Sequence, residues 1–226
     1  MAKKRVLKRK LRLFRFMLLL LILLIIGFLV YTLLNSKVKN ITITGTKYIN
    51  DDEILEISNL KNYPSFILTF DYGLEKKIKK INLVKKVNIK RGFYNTITIN
   101  IDEYKILLRN KDNTKYILEN GKLVEIGEEI SVPRLVSDLE SSKYNQLLKA
   151  LLDIKTKELS KVSEIEYVPN EYDKDRFILY MNDGNSVYLT LTKFEMLNYY
   201  DKVLPQLEGR KGFLYLDSGN HFKIME

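Results

Sequence analysis

The sequence predicts an α+β protein: one N-terminal membrane-spanning helix, a small β-α-α-β-β module, and a larger module in which an antiparallel sheet is backed by helices. Three observations predict it. Residues Phe16 to Leu34 carry no charge, isoleucines alternate with threonines almost directly behind that block, and two hairpin signals, Asn120-Gly121 and Asn182-Asp183-Gly184, stand between apolar runs.

The apolar block is 19 residues long, and at 1.5 Å per residue a helix of that length reaches about 28 Å, close to the hydrocarbon thickness of a bilayer. A buried core helix would show a stripe of polar positions, and none is present. A secretory signal would have a shorter apolar core and a small-residue cleavage site, whereas this block runs into Tyr31-Thr32-Leu33-Leu34-Asn35-Ser36-Lys37. An uncleaved signal anchor is expected over residues 16–36. Lys3, Lys4, Arg5, Lys8, Arg9, Lys10, Arg12 and Arg15 precede it without an acid among them, so residues 1–15 form a basic tail that the positive-inside rule assigns to the cytoplasm.

The formal net charge is +10, yet those eight basic residues account for most of it. Beyond residue 36 the chain holds 30 basic and 28 acidic groups. The basicity is therefore mainly a topology signal, which argues against a nucleic-acid binder, although the tail can also lie on anionic headgroups. With no cysteine, disulfides, thiol nucleophiles and thiolate metal sites are excluded, and packing has to supply the stability. Residues 37–110 carry a net +6 and residues 111–226 a net −4, a shift that suggests modules over 37–109 and 110–226.

In the first module Ile41 and Ile43 alternate with Thr42 and Thr44 up to Gly45, a strand ending in a turn. "NDDEILEISNL" reads as a helix capped by Asn50 with Glu53 in capping-box spacing, and "DYGLEKKIKKI" as a second helix burying Leu74, Ile78 and Ile81. A hairpin follows, turning between Arg91 and Asn95, with Ile97, Ile99 and Ile101 on its buried face. The lysines from Lys76 to Lys86 read as a solvated face, with attraction of phosphate-rich surfaces as the alternative.

The second module opens with a hairpin about Asn120-Gly121. "YNQLLKALLDIKTKEL" reads as a helix with Tyr144, Leu147, Leu148, Leu151 and Leu152 on one face, and "RFILYMNDGNSVYLTL" as a second hairpin. "TKFEMLNYYDKVL" reads as a helix opened by a Thr192/Glu195 capping box and stopped by Pro205. A strand from Phe213 to Leu216 and a short tail complete the chain.

Enzyme signatures are sparse. His221 is the one histidine, so a His-cluster metal site is excluded, and "DSGNH" places Asp217, Ser218 and His221 in one turn, where catalytic triads are not built. Neither a phosphate-binding glycine loop nor GxSxG occurs, and no cofactor site is indicated. A glycosidase-like carboxylate pair among the 28 acids stays open. Strand-rich modules on a tether suit a binding protein, in which sheet edges and aromatic residues make the contacts. The strand Phe213 to Leu216 is the candidate edge, the alternative being a mid-sheet strand with both neighbours paired.

In this order the parts resemble the FtsQ/DivIB family of bacterial cell division proteins, over essentially the whole chain. "VKNITITGTKYINDDEIL" is similar to the opening strand, glycine turn and first helix of the family's POTRA domain. "VKKVNIKRGFYNTITINIDEYKIL" is similar to its hairpin, with Phe93 where the family often has Trp and Glu103 near a commonly found glutamate. "YILENGKLVEI" followed by "VPRL" resembles the start of the β-domain, and "FLYLDSGN" its closing strand. Glu103 is followed by Tyr104-Lys105-Ile106 rather than by the usual proline, and the longer arginine-containing ending of the closing strand is absent.

The resemblance implies a non-catalytic, single-pass plasma-membrane scaffold at the division septum, with its C-terminus outside the cytoplasm. Its implied partners are two bitopic proteins, FtsL and FtsB/DivIC, which connect it indirectly to the septal peptidoglycan synthase. The POTRA module is expected against the membrane, beside the partners' helices. Partner contacts are implied at Phe213, Tyr215, Asp217 and Phe222, and by approximate position at Lys193 and Tyr188. The rival readings are a membrane-anchored POTRA chaperone or secretion component and a membrane-tethered wall-binding or hydrolytic protein.

Overall fold

A computed structural model describes residues 2–219 and 221–225, with side chains described from residue 14 onward. The chain forms two compact units, Met1–Glu103 and Tyr104–Glu226.

The first unit begins with helix α1 (Ala2–Leu34), whose segment Phe14–Leu34 is long and apolar enough to cross a membrane and is exposed throughout. Then come β1 (Asn40–Thr44), α2 (Asp51–Ser58), α3 (Asp71–Ile78), β2 (Val84–Gly92) and β3 (Thr96–Glu103). The sheet order is β1-β3-β2, with β1 parallel and β2 antiparallel to β3. The alternation read from the sequence is the observed packing: Ile97, Ile99 and Ile101 are fully buried, as are Ile54 of α2 and Ile78 of α3. Asn50 Oδ1 accepts from the Asp52 amide at 2.9 Å and caps α2. Gly45 has φ +87°, and a Cβ there would lie 2.2 Å from the Ile101 carbonyl oxygen. The turn after β1 thus needs glycine both for its backbone angle and for space.

Glu103, at the end of β3, accepts from the amides of Lys47, Tyr48 and Ile49 at 2.9 to 3.2 Å. One carboxylate thereby gathers the N–H groups of the loop before α2, which the strand ladder leaves unpaired. This gives a structural role to the glutamate flagged by the family resemblance.

The end of α1 is fastened to the sheet module. Ser65 Oγ donates to the Leu34 carbonyl at 2.6 Å, the Phe66 amide to the Ser36 carbonyl at 2.7 Å, and Asn95 Nδ2 to the Lys37 carbonyl at 2.8 Å. Hydrogen bonds therefore take the place of a linker.

The second unit holds β4 (Ile106–Arg109), β5 (Tyr116–Leu118), β6 (Leu123–Val124), β7 (Arg134–Leu135), α4 (Ser141–Leu152), α5 (Thr156–Leu159), β8 (Val162–Tyr167), β9 (Arg176–Met181) and β10 (Ser186–Thr190). They are followed by a 3₁₀ run (Leu191–Tyr199), α6 (Tyr200–Val203), β11 (Gly212–Tyr215) and β12 (His221–Ile224). Among the described residues the nine strands of this unit make one sheet, in the order β12-β11-β10-β9-β8-β7-β4-β5-β6. Leu147, Leu148 and Leu151 of α4, with Phe194 and Leu197 of the 3₁₀ run, join Phe177, Leu179, Val187, Leu189 and Leu214 of the strands in one core.

Four features differ from the sequence expectation. The sheet is mixed rather than purely antiparallel, because β4–β7, β7–β8 and β10–β11 are parallel pairs. The chain between β7 and β8 carries α4 and α5, that between β10 and β11 carries the 3₁₀ run and α6, and that between β4 and β7 carries the β5–β6 hairpin, so each parallel pair has the long connection it requires. The long helix breaks between α4 and α5, where the Asn198 side chain receives the Lys155 amide at 2.8 Å and donates to the Asp153 carbonyl at 2.9 Å. The Thr192/Glu195 capping box does not form, and the chain runs as 3₁₀ helix from Leu191 to Tyr199 with no side-chain cap. Phe194, Leu197 and Tyr200 are spaced by three and all buried, the period at which a 3₁₀ helix aligns side chains. Finally, Phe213 to Leu216 is not the free edge, because β12 pairs antiparallel with β11 and takes the outermost position.

Candidate partner-binding surface

Strand alternation sends Phe177, Leu179, Val187, Leu189 and Leu214 into the core beneath the helices and turns Arg176, Tyr188, Phe213 and Tyr215 to the opposite face. Register then sets those side chains in rows. Tyr188 pairs with Tyr215, and Tyr215 with His221. The rings stack across three neighbouring strands: Tyr188 and Tyr215 have centroids 4.8 Å apart and planes 15° apart, and Tyr215 and His221 are 4.6 Å and 6° apart. The Arg176 guanidinium lies 3.9 Å from the Tyr188 ring centroid and carries the row onto β9. Phe213 flanks it, 6.1 Å from Tyr188.

Arg176 also secures the turn beyond β11. Its Nε donates to Asp217 Oδ2 at 2.6 Å, and the two side chains are only 17% and 8% exposed. Lys193 Nζ donates to the Asp217 carbonyl at 2.8 Å, and the Asp217 amide to the Tyr188 carbonyl at 3.1 Å. Burial, followed by the neighbouring Tyr215 hydroxyl, raises the Tyr188 pKa above its ordinary value against the opposing pull of Arg176. Tyr180, on the same face, is pushed up to about 12 by burial and by its 2.8 Å hydrogen bond to Glu166. Both phenols are therefore neutral donors at physiological pH.

Five of the residues singled out from the sequence, Tyr188, Lys193, Phe213, Tyr215 and Asp217, come together here. Phe222 does not, because it pairs with Leu214 and packs toward the core. A Cβ on Gly212 would lie 2.1 Å from the Lys223 carbonyl oxygen and 2.9 Å from the Phe222 ring, so the close pairing of β11 with β12 needs glycine here. Sequence reasoning missed Arg176, and it weighed His221 only for catalysis and metal binding. The hairpin turn at 182–184 held the signal for Arg176: with that turn fixed, Arg176 falls opposite Thr190, on the face of Tyr188.

The triad arrangement does not assemble. His221 Nδ1 lies 3.1 Å from the Ser218 carbonyl oxygen, its ring is stacked on Tyr215, and Ser218 Oγ donates to Asp217 at 3.1 Å. Among the described residues there is no group of three or more His, Asp or Glu side chains placed to hold a metal.

Among the described residues, no strand pairs with the outer side of β12, which is the edge of the sheet. The Met225 amide donates to the Lys211 carbonyl at 2.9 Å, which fixes the ladder phase: His221 and Lys223 bond inward to β11, and the main-chain groups of Phe222 and Ile224 point outward. An extended segment laid alongside would find these groups ready to pair.

Residues 36–104 match the model of the FtsQ-type POTRA domain, and residues 106–218 that of the C-terminal domain of cell division protein FtsQ/DivIB. Cell division protein DivIB of Bacillus subtilis (strain 168) is 33% identical over 195 residues, covering 83% of this chain and 74% of the relative. DivIB of Listeria monocytogenes is 28% identical over 201 residues, covering 83% and 73%. The solved major extracytoplasmic domain of the trans isomer of DivIB from Geobacillus stearothermophilus is 28% identical, with a TM-score of 0.40, covering 47% of this chain and 96% of that one. With both modules matched in order along a chain that starts with an apolar helix, this protein belongs to the FtsQ/DivIB family of cell division proteins.

Proposed function

We propose that this protein is a non-catalytic, single-pass scaffold of the divisome, with its N-terminus in the cytoplasm and residues 37–226 outside it. It binds partners of the FtsL and FtsB/DivIC type and so helps to assemble and regulate septal peptidoglycan synthesis. The observation that carries this reading is the free edge of β12 beside the row Arg176-Tyr188-Tyr215-His221. A partner strand added at β12 gains main-chain hydrogen bonds, and the aromatic row supplies a rigid amphipathic anchor for side chains of that strand.

Ile224→Pro is the sharpest test. It removes an outward donor while leaving the bonds to β11 in place, and Ile224 is half exposed. A proline at Tyr215 would instead break the pairing between β11 and β12. Tagged full-length protein and the Ile224→Pro variant, purified from membranes, should differ in the recovery of small single-span coiled-coil proteins, with the variant losing them. Equal recovery removes the β12 edge as the contact. Retention of peptidoglycan fragments with no such partners favours a wall-binding protein instead.

A further inference from the structure

We infer that the membrane-proximal end of the first module is itself a lipid-contacting surface, lying in the interfacial layer of the bilayer that α1 crosses; the inference rests on α1 being a membrane span. Two loops make this surface. The loop between α2 and α3 exposes Ile67, Leu68 and Phe70, the first turn of α3 exposes Tyr72, and the turn between β2 and β3 exposes Phe93 and Tyr94, at 90% and 84%. Arg91 joins them: it donates to the Phe66 carbonyl and to Asp71, each at 2.7 Å, and lies 4.7 Å over the Phe66 ring.

The contacts with the end of α1 decide what covers this surface. The apolar block of α1 fills the hydrocarbon thickness of about 30 Å and ends at Leu34. Ser65 bonds to the carbonyl of that residue, Phe66 to Ser36, and Asn95 to Lys37. Leu68 is two residues from Phe66 and Phe93 is two from Asn95, a reach of at most about 7 Å. The headgroup layer on each side of a bilayer is about 5 to 8 Å thick. Loops tied to the end of the span therefore carry their rings within the depth that aromatic residues favour at membrane interfaces. Exposed Lys37, Lys39, Lys61 and Lys90 lie on the chain segments that flank these loops, which suits anionic headgroups.

Backbone geometry supports a built feature. Tyr63 and Tyr94 have φ of +46° and +57°, a region that bulky residues enter at a cost, and each stands next to an exposed part of the surface. The opposite end of the module, at Gly45, Lys80 and Glu103, is about 24 Å away along β3 and has none of the exposed rings.

The chain contains no tryptophan, so single substitutions give clean optical probes. Full-length Phe70→Trp, Phe93→Trp, Lys80→Trp and Phe28→Trp proteins would each be reconstituted into phosphatidylglycerol/phosphatidylethanolamine vesicles, with and without lipids brominated near the headgroup end or deep in the acyl chains. The expected result is blue-shifted emission and strong quenching by shallow bromines at positions 70 and 93, quenching by deep bromines at 28, and neither effect at 80. Water-like, unquenched emission at 70 and 93 with quenching retained at 28 would overturn the inference, leave the span intact, and assign the surface to a protein neighbour. Loss of quenching at 28 as well removes the span and the inference together.

Discussion

Arg176 and Asp217 form a nearly buried ion pair that ties the turn beyond β11 to β9, and removing one member leaves the other charged and unmatched. Breaking such a pair from one side costs about 3–5 kcal/mol. Arg176→Met also forfeits the contact with the Tyr188 face, worth about 1–2 kcal/mol at a partly desolvated site, so the upper half of that range is expected. Asp217→Leu should fall in the lower half, because Arg176 is the more exposed partner and keeps its ring contact. The double variant buries no unmatched charge and should be less destabilised than the sum of the single variants by about 2 kcal/mol or more. Equilibrium urea unfolding of detergent-solubilised full-length protein, followed by tyrosine signals of the second unit, reads all four corners of the cycle. Additive effects, or a loss below about 1 kcal/mol in Arg176→Met, would refute the reasoning and reduce the pair to a surface contact.

Other expectations follow from single contacts. Glu103→Ala leaves three amides without their acceptor, two of them part-buried, and should destabilise the first unit by about 2–4 kcal/mol, with faster hydrogen exchange at residues 47–49 as the local sign. Gly45→Ala should lower the same unit's stability by more than about 1 kcal/mol, read as a drop in urea midpoint at unchanged slope. Hydrogen bonds from Lys157 and then Lys161 pull the Asp201 pKa from 3.8 down to about 2. A depressed folded-state value means that its contribution is complete above the unfolded value near 4 and is lost as pH falls through about 2. The stability gap between the parent and Asp201→Asn should therefore close over that window, and a gap independent of pH there would contradict the assignment.

The first unit was largely legible because its elements are amphipathic with unbroken periods. Ile97, Ile99 and Ile101 alternate without interruption, and Leu74 and Ile78 keep helical spacing, although α3 ends at Ile78 and Ile81 is buried from the turn beyond it. The second unit hid more. β8 escaped because its register shifts between Val162 and Glu164, which breaks the alternation a strand is read by. β12 is four residues long and β7 only two, too short for any periodicity. The 3₁₀ run imitated an α-helix, because Phe194, Leu197 and Tyr200 suit a period of three nearly as well as one of 3.6. In the candidate site, aromatic content and strand position were visible in the sequence. The stack across three strands was not, since it depends on a parallel β10–β11 pairing that only tertiary structure sets.

Fastening Leu34, Ser36 and Lys37 to Ser65, Phe66 and Asn95 also has an angular meaning. A flexible tether would let the first module swivel freely about the membrane normal, whereas here its compass bearing is set by the rotational phase of the helix. Adding one residue to α1 before Leu34 would turn that bearing by about 100° and lift the module by about 1.5 Å. Were another membrane helix to pack against α1, the face of α1 that met it would decide which way the module looks. Contacts made within the bilayer would in this way orient the part that works outside it.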